Sequence, residues 1–272
     1  MKTAKKSFAY LVLILGALIM VLPFFWMIIS SLKTAAEVNT TPPTFWPKEL
    51  VFENYAYAFE KAPFLRYFCN SLIVTVVCVA CTMFTTILAA FAFSRLKFPG
   101  RDLLFSLLLS LMMIPFEMLI ITNYTTIVKL GLNDTLIALI LPFTSSIFYT
   151  HILRNFFLAI PDSLYYSARV DGASNWRYLW RVMVPMSRPA LVTIGLLDAI
   201  ACWNSFLWTV IATNTKEVRT LPFGLYAFMT SSGIRYERLM AASTIVVLPM
   251  ILLFIFCRKS IVTGVSRGGL KG

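Results

Sequence analysis

The chain has 272 residues, 59% of them hydrophobic and only 13% charged, with a mean hydropathy of +0.79. Soluble domains carry about 25% charged residues; so apolar a chain has no soluble interior large enough to hide its surface, whereas membrane spans can place it in lipid. The net charge of +12 comes with no nucleic-acid-binding motif, so it is read as basic loops meeting anionic lipid rather than as a nucleic-acid footprint.

The first apolar run, residues 9–31, follows Lys2, Lys5 and Lys6 and has no charge from Ser7 to Leu32. It is longer than the core of a signal peptide and ends without a small-x-small cleavage site, so it is taken as a first transmembrane helix. Pro23 is expected to kink it. The remainder of the segment 1–66 is an aromatic, extracytoplasmic loop carrying Phe45, Trp46, Phe52, Tyr55, Tyr57 and Phe59. Such a loop suits the headgroup level of a membrane. Pro42, Pro43 and Pro47 prevent a continuous helix through its first half, and residues 54–61 read as a short interfacial helix.

Five further apolar runs follow within the segment 67–258: residues 67–93, 103–121, 136–153, 190–213 and 239–257, before a basic, glycine-rich tail at 259–272. Each is long enough to cross hydrocarbon as a helix, where every backbone group must pair within its own segment. The expected fold is therefore all-α, polytopic, with six spans. The run 67–93 is rich in Thr and Ala, which suits close helix contacts. Cys78 and Cys81 form a C-x-x-C in its middle, without polar neighbours in the sequence; they read as small buried residues rather than as a redox or metal site.

Six spans put both termini on one side. The amino terminus, the 95–101 loop, the 154–188 loop and the tail together with Arg258 hold 15 Lys and Arg, against 9 in the other three loops. Short basic segments face the cytoplasm, so both termini and the 154–188 loop are placed there. No internal repeat is evident, as an inverted-repeat secondary transporter would show.

The 154–188 loop is the longest polar interruption in the apolar half of the chain, with Arg154, Arg169, Arg177, Arg181 and Arg188 opposed by Asp162 and Asp171. Asp162 or Ser163 can cap a helix over 163–171, and Gly172 falls where a helix ends on positive φ. Ser174 can cap a second helix over 175–183, whose Trp176, Leu179, Trp180 and Met183 recur at one-sided spacing. Pro185 stops that helix and Pro189 opens the next span. The residues by themselves allow two readings: a solvated connector touching lipid headgroups, or a docking knuckle. In the second, the small Ala168, Gly172 and Ala173 permit close approach and Arg169 and Asp171 fix the register.

The loop resembles the cytoplasmic signature of binding-protein-dependent ABC importer permeases: E-A-A, three residues, G, nine residues, then I-x-L-P. Here Tyr166-Ser167-Ala168 is followed after three residues by Gly172 and after nine more by Val182-Met183-Val184-Pro185. The flanking I-P-D-S-L and R-V-D-G-A-S, together with E-N-Y at 53–55, W-N-S-F at 203–206, A-A-S at 241–243 and the tail V-T-G-V-S-R-G-G-L-K-G, resemble the carbohydrate-type branch. Tail and length are most similar to the second permease subunit of such systems. Two departures from the pattern matter: Tyr166 replaces the glutamate and Ser167 the first alanine.

The resemblance implies a type I ABC importer permease in a bacterial-type cell (inner) membrane. It implies a second homologous permease subunit, two ABC ATPase subunits and an extracytoplasmic solute-binding protein as partners. Residues Tyr166, Ser167, Ala168, Arg169, Asp171, Gly172, Ala173 and Pro185 would form the ATPase-docking coupling helix. ATP and Mg would be held by the ATPase subunits and no cofactor by this chain. The chain itself has no G-x-x-x-x-G-K-[ST] loop and reads as a non-enzyme; residues 264–271 are a near miss with lysine at the wrong offset. Its single histidine, His151, has no nucleophile–base partners in the pattern, and no metal-ligand set is evident. Asp198, Trp203 and Asn204 are candidate solute-path residues, since aromatic faces stack on sugar rings and amides bind hydroxyls. The rival reading is an ion-coupled transporter using the intramembrane acids Glu117 and Asp198.

Overall fold

The structure, a computed structural model, describes the backbone of residues 2–230 and 233–268 and the side chains of 6–228 and 234–255. Helices dominate. The described strands are a two-residue antiparallel ladder in which Met229 pairs with Ile234 and Thr230 with Gly233. Three helices are long and apolar enough to cross a membrane: α1 (Lys2–Ser31), α4 (Phe64–Arg95) and α14 (Tyr236–Gly268). Three further pairs of helices, each broken by a sharp bend, bring the number of spans to as many as six if each pair crosses once. The tail expected at 259–272 continues α14 as far as Gly268; its last four residues lie outside the described ones.

The chain divides into two compact units. The first joins Met1–Tyr67 with Leu221–Ile251. Here α1 exposes its apolar surface along most of its length and is buried only at its end, Ile29–Ser31. The following loop is folded rather than loose. Thr34 caps the short helix α2 (Ala35–Val38). The buried Glu37 accepts from Thr44 Oγ1 at 2.8 Å and from the Lys48 N–H at 3.1 Å. Lys33, fully buried, donates to the Thr44 carbonyl and lies 4.7 Å from the centroid of the Trp26 ring. Helix α3 (Glu53–Lys61) closes the loop: Asn54 donates to the carbonyls of Ser31 (2.9 Å) and Lys33 (3.0 Å), and the Tyr55 hydroxyl meets Ser31 Oγ at 2.7 Å. Two residues of the E-N-Y triplet thus fasten α3 onto the end of α1.

The second unit joins Phe68–Thr220 with Leu252–Gly272. The expected third span, 103–121, is two helices, α5 (Arg101–Leu111) and α6 (Phe116–Lys129), bent by 98°. Pro115, extended at ψ 144°, has no N–H to continue the helical ladder, and its ring disfavours helical backbone in the residue before it. The expected fourth span, 136–153, is likewise broken. Helix α7 (Leu136–Ile140) passes through a 3₁₀ turn at Leu141–Phe143 containing Pro142, and α8 (Ile147–Leu158) restarts at 46° under the cap of Ser146.

A broken helix inside a membrane protein must find donors for the carbonyls it frees. Helix α4 supplies them. Thr82 Oγ1 donates to Phe143 O at 2.6 Å, Thr85 Oγ1 to Thr144 O at 2.9 Å, and Cys78 Sγ reaches Ile140 O at 3.9 Å. The threonines of this span therefore repair the backbone of a neighbouring one.

Candidate functional site

The knuckle is built from a short helix and a tight bend. Helix α9 (Asp162–Val170) begins at Pro161, whose ring fixes φ near the helical value without requiring an N–H. Neither Asp162 nor Ser163 is the cap expected from the sequence; Asp162 stands in the first turn, where a carboxylate favours the helix dipole. At the other end Gly172 adopts φ +75°, as its position predicts. Ala173 N–H bonds back to Ala168 O at 2.9 Å, the six-to-one bond of a Schellman ending. Ser174 Oγ then accepts from the Arg177 N–H at 3.2 Å and starts α10 (Asn175–Tyr178).

Beyond α10, Pro185 does not stop the second helix expected over 175–183. The chain widens into a π-helical turn at Leu179–Met183, and Pro185 sits inside the short α11 (Val184–Met186) that follows. In that widened turn the Val184 N–H reaches back to Leu179 O, and the helical backbone continues through the proline. The break falls at Ser187, and α12 (Arg188–Trp203) leaves at 81°. The buried side of this segment is Tyr178, Leu179 and Met183; Trp176 is 58% exposed and so lies off the face expected to contain it.

The knuckle has two sides. Tyr178, Leu179 and Met183 are buried in a core with Phe91 of α4, Leu153 and Phe157 of α8 and Ile194 of α12, and Tyr165 and Ala168 of α9 pack against it. Tyr165 also donates to Asn175 Oδ1 at 2.9 Å across the bend. The other side is bare. Val170 is 87% and Tyr166 58% exposed, and Ser167, Arg169, Asp171 and Gly172 are exposed with them. Arg169 folds back to donate to the Ala173 carbonyl at 3.1 Å. A Cβ built on Gly172 meets nothing within 4 Å, so the space beside it is open, but its φ of +75° is one that a side chain adopts only with strain.

Sequence reasoning missed the arginines beneath the knuckle. Arg95, at the end of α4 and 5% exposed, forms an ion pair with Asp162 and donates to the carbonyls of Phe157 (2.8 Å) and Ile160. Arg154 donates to Phe93 O at 3.1 Å and lies 4.3 Å from the centroid of the Phe105 ring. Both read as topology charges in the sequence. The signal is an arginine at the end of an apolar run with an acid at the start of a later helix, and nothing in the sequence says which acid.

The solute-path candidates are separated. Asp198 and Trp203 are buried, Trp203 packed edge-on against Phe68 at 5.9 Å, while Asn204 is exposed at the end of α12. The span expected over 190–213 divides there, and α13 (Leu207–Ala212) follows with Trp208 Nε1 donating to Ala138 O at 3.0 Å. Glu117 is exposed in the first turn of α6, and no ion pair or hydrogen bond joins it to Asp198 among the described residues. Among those residues no cluster of three His, Cys, Asp or Glu can hold a metal ion.

Residues 82–267, which include the whole knuckle, match the family described as the binding-protein-dependent transport system inner membrane component. The chain belongs to this family. The permease is 31% identical over 259 residues to the arabinooligosaccharides transport system permease protein AraQ of Bacillus subtilis (strain 168), covering 94% of this chain and 92% of that one. It is 31% identical over 269 residues to the diacetylchitobiose uptake system permease protein NgcG of Streptomyces coelicolor, covering 97% and 89%. With the inner membrane ABC transporter permease protein YcjP of Escherichia coli (strain K12) it shares 31% identity over 275 residues, covering 100% and 98%. In fold the permease is similar to a chain of a bacterial ABC transporter that imports the acidic polysaccharide alginate, with a TM-score of 0.80, 22% identity and coverage of 94% and 96%. A second structure of a bacterial alginate transporter, in complex with an alginate pentasaccharide-bound periplasmic protein, aligns with a TM-score of 0.68 at 14% identity. The permease is thus a multi-pass inner-membrane component with the ABC importer permease fold.

Proposed function

We propose that the permease is one of two homologous membrane subunits of an ATP-driven importer for a sugar or oligosaccharide. In this reading α9 and its bend at Gly172 form the seat of an ATPase subunit. ATP and Mg bind on two such ATPases. Their closure draws the two knuckles together, and the permease pair alternates between inward- and outward-open states. An extracytoplasmic binding protein delivers the solute. The relatives named for arabinooligosaccharides and diacetylchitobiose support a carbohydrate, and the excess of basic residues on the termini, the 95–101 loop and the 154–188 loop supports placing these in the cytoplasm.

The observation that carries the docking assignment is the two-sidedness of the knuckle. Its inner face is locked into the core while Tyr166 and Val170 stand bare at its crest. An exposed apolar crest on a rigid support suits a protein partner. Tyr166 replaces the family's glutamate, so the contact there is aromatic rather than ionic. Asn204 is the solute-path candidate open to solvent; Asp198 and Trp203 reach a path only after rearrangement.

The test is affinity purification of the permease with its ATPase. A Cβ at Gly172 meets no atom of this chain, although φ +75° strains a side chain there; Gly172→Asn, which carries the same backbone strain without the charge, separates that strain from the charge and bulk that Gly172→Asp presents to whatever approaches the bend. Gly172→Asp is expected to insert and fold but to lose most of the copurifying ATPase. Copurification at the wild-type level would remove the docking assignment.

A further inference from the structure

We infer that Arg95 is a positioning residue that makes the docking knuckle move as one body with α4 and α8. The inference rests on the docking reading above and adds how a displacement of the knuckle reaches the spans.

Three elements meet at one guanidinium. Arg95 ends α4; its Nη2 donates to the carbonyls of Phe157 and Ile160, at the end of α8, and its Nη1 pairs with Asp162 in the first turn of α9. The Phe157 carbonyl, in the last turn of α8, also accepts from the Ile160 N–H at 3.2 Å, and Ile160 lies in the turn after the helix; a planar fork of donors can serve both carbonyls and a carboxylate at once where a single ammonium cannot. The geometry is directional. The Arg95 side chain is 5% exposed, so the fork is held in place, whereas Asp162 is 71% exposed and is reached from outside. An exposed pair contributes little to stability on its own, but this one is tied to two backbone carbonyls in a buried fork and so fixes orientation.

The rest of α4 extends the connection. Thr82 and Thr85 hold the carbonyls freed by the break before α8, and Asn70 donates to the carbonyls of Glu217 (2.8 Å) and Arg219 (2.9 Å). One helix therefore carries donors for the break before α8, the end of α8 and the start of α9. A push on the knuckle crest at Val170 is delivered through Asp162 and Arg95 to α4, which shares that load with the apolar core.

The experiment measures rigidity in the assembled importer, purified with its ATPase. With the native cysteines replaced, spin labels are placed through Ser163→Cys on α9 and Phe84→Cys on α4, both exposed positions. Electron-paramagnetic-resonance distances are recorded without nucleotide and after trapping with ATP and vanadate. With Arg95 present, the distance distribution is expected to be narrow and the same in both states. Arg95→Lys keeps the positive charge that topology requires but loses the fork, and should broaden the distribution about twofold. Asp162→Asn, at an exposed site, serves as the variant that must fold and should broaden it in the same direction. A wild-type width in either folded variant overturns the inference, as does a nucleotide-dependent shift with Arg95 present. Copurification of the ATPase is scored in the same samples, so a failure of the docking reading appears as lost ATPase and a failure of the positioning role as unchanged width.

Discussion

Gly224 lies against the ring of Phe64: a methyl group on Gly224 would sit 2.4 Å from Phe64 Cε1. The ring cannot yield easily. It is 1% exposed and boxed by Phe59, Tyr67 and Phe228 at centroid distances of 6.0, 6.5 and 6.3 Å. Gly224→Ala therefore overpacks the first unit and should destabilise it by about 1–3 kcal/mol, read as a lowered melting temperature of the detergent-solubilised protein. Phe64→Leu in the same background should restore part of the loss by making room. A melting temperature unchanged by Gly224→Ala would mean that the close approach is not a constraint.

Thr82 offers a test of the repair of the broken span. Thr82→Val keeps the shape and removes the hydroxyl that Phe143 O accepts from. A buried carbonyl left without its donor costs about 1–3 kcal/mol. The expected result is a loss of thermal stability larger than that from Thr125→Val, whose hydroxyl bonds within its own helix to Ile121 O. Equal effects would show that the carbonyl finds another donor.

Asn54 holds two carbonyls at the end of α1. Asn54→Leu removes both donations from a buried site. Limited proteolysis should then cut within residues 39–51 at least about tenfold faster, as expected when a local structure loses roughly 1.4 kcal/mol of protection. An unchanged cleavage rate would place the stability of the loop in Lys33 and Glu37 instead.

Asp134 carries the pH dependence. Burial raises the pKa of its carboxyl, but the backbone N–H groups of Thr215 and Asn214 and the charge of Arg219 outweigh that and hold it below the usual carboxylate range. The two N–H groups lie 3.0 and 2.8 Å from Oδ1. A depressed folded pKa means that the contribution is present above the unfolded value, about 3.9, and is lost as the pH falls through the folded one. Cleavage at Lys216 by an acid-tolerant protease should accelerate as the pH drops below about 4. Asp134→Asn also tolerates the positive φ of 59° at this position and should flatten that acceleration. A pH profile identical to wild type would assign the loop's stability to other contacts.

Much of the candidate site was legible from the sequence because its chemistry is local. Gly172 has to end a helix at positive φ, and Ser174 has to cap the next one, whatever the chain packs against; both do. Pro185 misled because the ladder has already widened into a π-helical turn before it, where the Val184 N–H bonds back to Leu179 O, and the proline sits within that irregular stretch instead of ending it. Pro115 and Pro142 announced that helices would be disturbed, but the angles of 98° and 46° follow from the packing around them.

By itself the sequence determined the membrane class, the apolar runs, the aromatic loop after the first of them and the bend at Gly172, since these depend on hydropathy, backbone sterics and neighbours a few residues away. Only the tertiary structure decided that Arg95 would meet Asp162, 67 residues later, that Thr82 would serve Phe143, and that Tyr166 and Val170 would stand bare while Tyr178 is buried. Donors and acceptors of one kind are interchangeable along a sequence, and only the folded backbone brings one particular pair within bonding distance.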